Sequence, residues 1–188
     1  GQLADITADK LMLENIYSGF LCIAQCSLPT IAAVNGPAVG AGFNMAVGCD
    51  VRIVTENARF EPRFFGLGLH PGGGNTWMLR QIANWNTAAG MLLFSQSLSG
   101  QQAVDKGLAW ACVPADELID SAFRFTENIQ NLPKQLLVET KQTLRTAGGT
   151  NEHDEIVELE TIRQINSLTQ PFAQNAIAAM IDKISGVK

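Results

Sequence analysis

Apolar residues recur along the first part of this chain at two different periods, and the switch between them divides it into elements. Leu11, Ile16, Phe20, Ile23 and Ala24 return every three to four positions, which predicts an amphipathic helix over residues 9–25, closed by Pro29. Residues 30–34 (Thr-Ile-Ala-Ala-Val) form instead a short apolar run bounded by Pro29 and Asn35-Gly36-Pro37. That length and those borders predict a strand buried on both faces. A glycine-rich turn follows, then helix-like composition over 41–48, a second strand over 51–54, a turn at 56–58 and a third strand at Arg59-Phe60. The loop 65–75 holds too many glycines to be regular and feeds a helix over 76–83, with 81–94 continuing mostly helical.

Beyond Gly107 the texture changes. Residues 108–113 read as one more strand, Pro114 breaks it, and 116–131 is an amphipathic helix with Leu118, Ile119, Ala122, Phe123, Phe125 and Ile129 as apolar members. Pro133 starts a helix to about residue 147, Gly148-Gly149 ends it, and 151–188 gives two helices broken near Pro171. The expected organisation is an α/β portion over 1–113 and an all-helical region over 114–188, without internal repeats.

With 188 residues and 46% hydrophobic content, the chain can bury a sizeable core. The formal net charge of −5 and the lack of any Lys/Arg cluster interleaved with aromatics argue against a nucleic-acid partner. Apolar stretches are broken well before the ~20 residues that span a bilayer, so no membrane association is expected. Cys22, Cys26, Cys49 and Cys112 lack C-x-x-C spacing, and His70 and His153 are the only histidines, so a zinc reading fails and no metal site is expected. Free thiols in a reducing cytosol are the expectation, with Cys22 and Cys26 on one helix face. Gly1 opens the chain without a basic segment and apolar run behind it, which predicts a cytoplasmic protein and leaves room for residues before Gly1.

Candidate chemistry concentrates between residues 28 and 50. Gly36, Gly40 and Gly42 permit positive φ and close approach of a ligand, and the helix that follows starts with unpaired N–H groups that can stabilise a developing negative charge. The spacing is neither the G-x-G-x-x-G dinucleotide fingerprint nor a P-loop, and a tight packing turn accounts for it equally well on pattern alone.

The residues that settle the choice are Pro29 to Gly36 (a Pro-x-Ile-Ala-Ala-Val-Asn-Gly strand and turn), the Gly40-Ala41-Gly42 trio, Cys49-Asp50, and the later element Ala103, Gly107, Leu108 and Val113, with Ala109 for the usual Val. Over essentially its whole length the chain resembles the crotonase superfamily, best known from enoyl-CoA hydratases. The resemblance implies an α/β fold, a crotonase-like spiral of β-β-α units with a C-terminal helical region that trimerises, and a homotrimer or homohexamer. It implies acyl-CoA as partner, a coenzyme A thioester as substrate or ligand, and no permanently bound cofactor. It also implies an oxyanion hole of two backbone N–H groups. One is that of Ala41; the other belongs to a segment of a few tens of residues expected before Gly1.

The family's two catalytic glutamates are replaced in the ungapped match. The first position carries Asn44, and the second, seven residues before Pro71, carries Phe64, which is inert toward protons. Since hydration needs a base for water and an acid for the α-carbon, standard hydration is doubtful. Glu61 and His70 are the remaining acid–base candidates, read otherwise as a solvated turn residue and a histidine satisfied by loop backbone. Gly40 and Gly42 would approach the substrate, while Phe43, Phe64, Phe65 and Trp77 line an acyl pocket or simply fill core. Lys183 matches the region that contacts the nucleotide end of CoA, and Arg63 meets either a CoA phosphate or a surface carboxylate. His153 with its acidic neighbours reads as a charged helix start. Three functions follow: an enzyme with altered chemistry, such as isomerisation, decarboxylation, hydrolysis or slow hydration; a non-catalytic acyl-CoA binder; or a structural subunit of a hetero-oligomer.

Overall fold

A computed structural model describes residues 2–149 and 153–185, with side chains over 10–149 and 153–182. Helix α1 (Gln2–Ala24) starts earlier than periodicity predicts, since no Gly or Pro interrupts residues 2–8. Then come β1 (Ile31–Val34), β2 (Pro37–Val39), α2 (Ala41–Gly48), β3 (Val51–Thr55) and β4 (Arg59–Glu61). After a 3-10 turn at Phe65–Leu67 follow α3 (Asn75–Ile82), α4 (Trp85–Leu93), β5 (Leu98–Ser99), α5 (Gly100–Asp105), β6 (Ala111–Val113) and α6 (Leu118–Arg124). The last helices are α7 (Lys134–Ala147), α8 (His153–Leu168) and α9 (Pro171–Ser185).

The strands form two small sheets. One is parallel in the order β1-β3-β6; in the other, β2 runs parallel to β4 and β5 antiparallel to it. At the start of β1 and β3, the Asp50 carboxylate accepts from Thr30 N at 2.7 Å and Thr30 Oγ1 at 2.9 Å, while Thr30 Oγ1 accepts from Asp50 N at 3.0 Å. These bonds set the register Ile31↔Val51 and explain the Asp that precedes the strand. The core gathers where α2, α3, α4 and α5 cover these sheets, around Phe43, Phe60, Leu79, Met91 and Leu108. Arg52 is buried too. Its guanidinium donates to the carbonyls of Leu108, Ala46 (3.2 Å), Cys49 (2.7 Å) and Asp50 (3.3 Å), tying the end of α2 to the sheet. Burial pushes the Arg52 pKa down, against the pull of Cys49 and Asp50.

Several boundaries differ from the sequence reading. β1 is an edge strand with Ala33 exposed and its neighbours half-buried, not a strand buried on both faces. Part of the expected glycine turn is β2, where Pro37 sits at the strand's first position and so needs no ladder N–H. The run over 81–94 breaks at Asn84, whose side chain caps α4 by accepting from Thr87 N at 2.9 Å. The strand over 108–113 shortens to β6, because Leu108 N and Ala109 N turn back to Ala103 O. The helix over 116–131 is α6 flanked by 3-10 turns. α6 packs on β1 and β3, so the first compact unit runs to residue 128 and the second covers 129–188.

Candidate functional site

The site is built on the first turn of α2. β2 delivers the chain to Gly40, whose φ of +54° lies in the left-handed region that favours glycine, and the helix begins at the next residue. The first intrahelical bond that returns to the turn is Asn44 N to Gly40 O at 3.0 Å. The N–H groups of Ala41, Gly42 and Phe43 precede it and have no i−4 acceptor. Ala41 and Gly42 are exposed, and the positive end of the helix dipole lies at this turn. Gly42 also lines a cleft of about 400 Å³ together with Ile23, Met45 and the 32–38 segment.

Asn44 sits one turn further and is buried. Its Nδ2 donates to the Gly72 carbonyl at 3.1 Å, and its Oδ1 accepts from Asn75 Nδ2 at 2.6 Å. The polarity of this chain is fixed from one end: a carbonyl only accepts, so the atom facing Gly72 must be the amide nitrogen, and Asn75 must then present its own nitrogen. Asn75 Oδ1 is left buried without a partner. The glycines of the loop are required by the close packing around it. A Cβ on Gly73, where φ is +64°, would lie 2.4 Å from Phe20 Cζ and 2.7 Å from Asn44 Nδ2.

The other residues singled out from sequence are scattered. Phe64, half-buried, heads the 3-10 turn, its carbonyl accepting from Leu67 N and Leu69 N. Glu61 alternates with buried Phe60 along β4 and so points away from α2, whose Phe43 ring lies 6.0 Å from that of Phe60. On that outer face Glu61 pairs with Arg63 at 3.1 Å and Arg59 at 3.9 Å. The hydrogen bond from Arg63 holds the Glu61 carboxyl below its ordinary pKa, partial burial opposes it, and the charges of Arg63 and Arg59 reinforce it. Arg63 is thereby committed to a surface carboxylate.

His70 is exposed, with Nδ1 2.8 Å from the Pro71 carbonyl, which places the proton of the neutral ring on Nδ1 and leaves Nε2 to accept. Together with Phe65, Pro71, Trp85 and Leu92 it lines a mostly apolar cleft of about 320 Å³ against α3 and α4. Arg80 stands over the Trp85 ring at its rim, 5.7 Å from the centroid. Phe43 is fully buried in the core and offers no surface to a ligand. Trp77 is 66% exposed on α3 and lines neither cleft. The side chain of Lys183 lies outside the described residues.

Sequence reasoning overlooked Asn75 and Tyr17. The first stood in plain view at the end of the glycine loop; the second is the chain's one tyrosine, on the same face of α1 as Phe20.

The enoyl-CoA hydratase/isomerase family model matches residues 2–181. The Mycobacterium tuberculosis protein named probable enoyl-CoA hydratase EchA14 is 39% identical over 173 residues, covering 89% of this chain and 67% of its own. The 1,2-epoxyphenylacetyl-CoA isomerase of Escherichia coli is 36% identical over 80% of this chain and 57% of its own. Among solved structures, a candidate enoyl-CoA hydratase of Thermobifida fusca YX in complex with CoA superposes with a TM-score of 0.81 at 27% identity, over 87% of this chain and 63% of its own. An enoyl-CoA hydratase/isomerase structure from Mycobacterium abscessus reaches 0.86 at 23% identity, over 94% and 68%, and shows the shared fold. By motif, architecture and family match, the chain belongs to the enoyl-CoA hydratase/isomerase family of the crotonase superfamily.

Proposed function

We propose that this chain binds acyl-CoA thioesters and stabilises a thioester enolate at the first turn of α2, with chemistry other than ordinary hydration. The observation that carries the reading is the pairing of an intact amide cradle with Asn44 one turn away. The thioester oxygen accepts from Ala41 N–H, and charge growing on that oxygen as the α-carbon loses a proton meets the amide and the helix dipole. By resemblance, a second backbone amide completes the hole. The relative crystallised with CoA supports the choice of ligand.

Hydration requires a group that takes a proton from water and one that delivers a proton to carbon. Asn44 does neither, and both ends of its amide are already committed. Phe64 carries no exchangeable side-chain proton, and Glu61 is held on the far face of β4. The site therefore favours rearrangement of a bound acyl group over addition of water, and the E. coli relative is named an isomerase. That the Asn44 amide is bonded to the Gly72 carbonyl and the Asn75 amide, neither of which transfers a proton, favours one second reading, an acyl-CoA binder without turnover.

The test is turnover of a short and a long trans-2-enoyl-CoA by the full-length protein, followed by loss of the conjugated thioester absorbance, with acyl-CoA binding measured on the same samples. Saturable binding with absent or slow hydration is expected. Fast hydration abolished by Glu61→Gln would overturn the assignment of the acid–base positions.

A further inference from the structure

Tyr17 projects from α1 onto the glycine loop that Asn44 holds. An ideal Cβ on Gly72 would lie 2.4 Å from the Tyr17 hydroxyl oxygen and 3.2 Å from Cζ, so the hydroxyl occupies the place that any other residue at 72 would fill. The ring is half-buried and leans on Phe20, centroids 5.7 Å apart, and Phe20 in turn fills the corresponding place over Gly73 beside Asn44 Nδ2. Among the described residues the hydroxyl has no hydrogen-bond partner. Gly72 thus carries the Asn44 amide on its carbonyl and the phenol against its α-carbon.

Ala41 and Asn44 are three residues apart on α2, about 4.5 Å along the axis, Ala41 at the exposed start of the helix and Asn44 buried almost one turn on. A thioester oxygen held at Ala41 N–H is then about one helical turn from Asn44, the residue that links α2 to Gly72 and Tyr17. In that cluster the phenol is the group able to exchange a proton, because Asn44 and Asn75 are amides bonded to each other. His70 lines the cleft against α3 and α4 instead.

We propose that Tyr17 is the acid–base residue of this site, an assignment that rests on the acyl-CoA reading above. In the protonating direction the Tyr17 O–H bond breaks and a C–H bond forms at the substrate carbon from the enolate's electron pair. The thioester carbonyl is restored, and the phenolate regains a proton from water at the exposed edge of the ring. Microscopic reversibility gives Tyr17 the removal of that proton in the opposite direction.

The experiment measures deuterium wash-in at the α-carbon of a saturated acyl-CoA in D2O, by mass spectrometry, with Kd for the same acyl-CoA, on the full-length protein and on Tyr17→Phe. The phenylalanine keeps the ring against Phe20, so the fold is retained while the hydroxyl is lost. Expected is a fall in exchange of about 10²- to 10⁴-fold with Kd changed less than about threefold. Gly72→Ala, which drives a methyl into the hydroxyl's place, is expected to lower exchange in the same way with Tyr17 still present. Exchange that survives in Tyr17→Phe overturns the Tyr17 assignment and leaves the acyl-CoA reading standing. Wild-type protein that binds no acyl-CoA overturns the reading beneath it, and binding without exchange in the wild type overturns catalysis by Tyr17 in favour of the binder.

Discussion

At Asn44 the difference between an amide and a carboxylate becomes a difference in which atoms the Gly72 carbonyl can face. The amide nitrogen donates there at 3.1 Å. In Asn44→Asp an oxygen would face that carbonyl, so the carboxylate is repelled and the glycine loop loses its tether. A loss of about 1–3 kcal/mol is expected from the urea midpoint at neutral pH, partly recovered in acid as the new carboxyl protonates; an unchanged midpoint would show the tether to be dispensable. Glu61 makes the opposite prediction. Its folded pKa is held down chiefly by the hydrogen bond from Arg63. The pair's contribution to stability is therefore present above the ordinary carboxylate pKa and disappears as pH falls through the lower folded value. Carboxyl NMR titration should place Glu61 below the usual glutamate midpoint, and Arg63→Ala should return it toward that midpoint. A titration that ignores the substitution would assign the shift elsewhere.

Among the elements, α5 rests on its cap. Ser99 Oγ accepts from Gln102 N at 3.3 Å and the Gln102 side chain accepts from Ser99 N at 2.9 Å, a reciprocal box at the start of a six-residue helix. Ser99→Ala should cost about 1 kcal/mol in chemical denaturation, and Gln102→Glu, which keeps an acceptor, should cost less; equal losses would locate the effect outside the box. This Ser-x-x-Gln signature was readable in the sequence, yet β5 and α5 were passed over because two strand residues carry no period. Long periodic stretches were legible: α2 was expected at its observed limits, and α7, α8 and α9 nearly so. β2 was hidden because three residues around a proline look like a turn until β4 pairs with them. At the site, the family resemblance pointed to Ala41 and Asn44, which lie on one helix. Tyr17 was invisible for the opposite reason: its relation to Gly72 crosses from α1 to a loop far along the chain, and no spacing rule records that contact.

Each of the two compact units buries apolar surface in a different way. Residues 1–128 enclose the core around Phe43, Phe60 and Leu79, whereas among the described residues of 129–188 no apolar side chain is buried and the buried positions are Lys141 and Thr143. Internally that second unit is held by polar contacts. Arg163 on α8 donates to the Glu139 carbonyl and, at 2.6 Å, to Thr143 Oγ1 on α7. Leu136, Leu137, Ile156 and Leu159 are half-buried, whereas on α8 Ile162, Ile165 and Leu168 are 52%, 56% and 49% exposed and recur every three residues as a stripe. On α9, Met180 and Ile181 are 58% and 56% exposed. Burying a fully exposed side chain of this kind is worth about 1.5–3 kcal/mol and covering the exposed half of one roughly half of that, so a stripe of several is still a drive to associate. The resemblance names identical copies as the cover, in a trimer or a pair of trimers. Ile162→Glu with Ile165→Glu should therefore shift the full-length protein toward monomer in sedimentation velocity and make amide exchange in α8 faster. The wild-type Tm should also rise with protein concentration, as mass action requires of a unit completed by its neighbours. A wild-type monomer at tens of micromolar whose α8 amides are nonetheless well protected would sink the idea, because that protection would have to come from within a single chain.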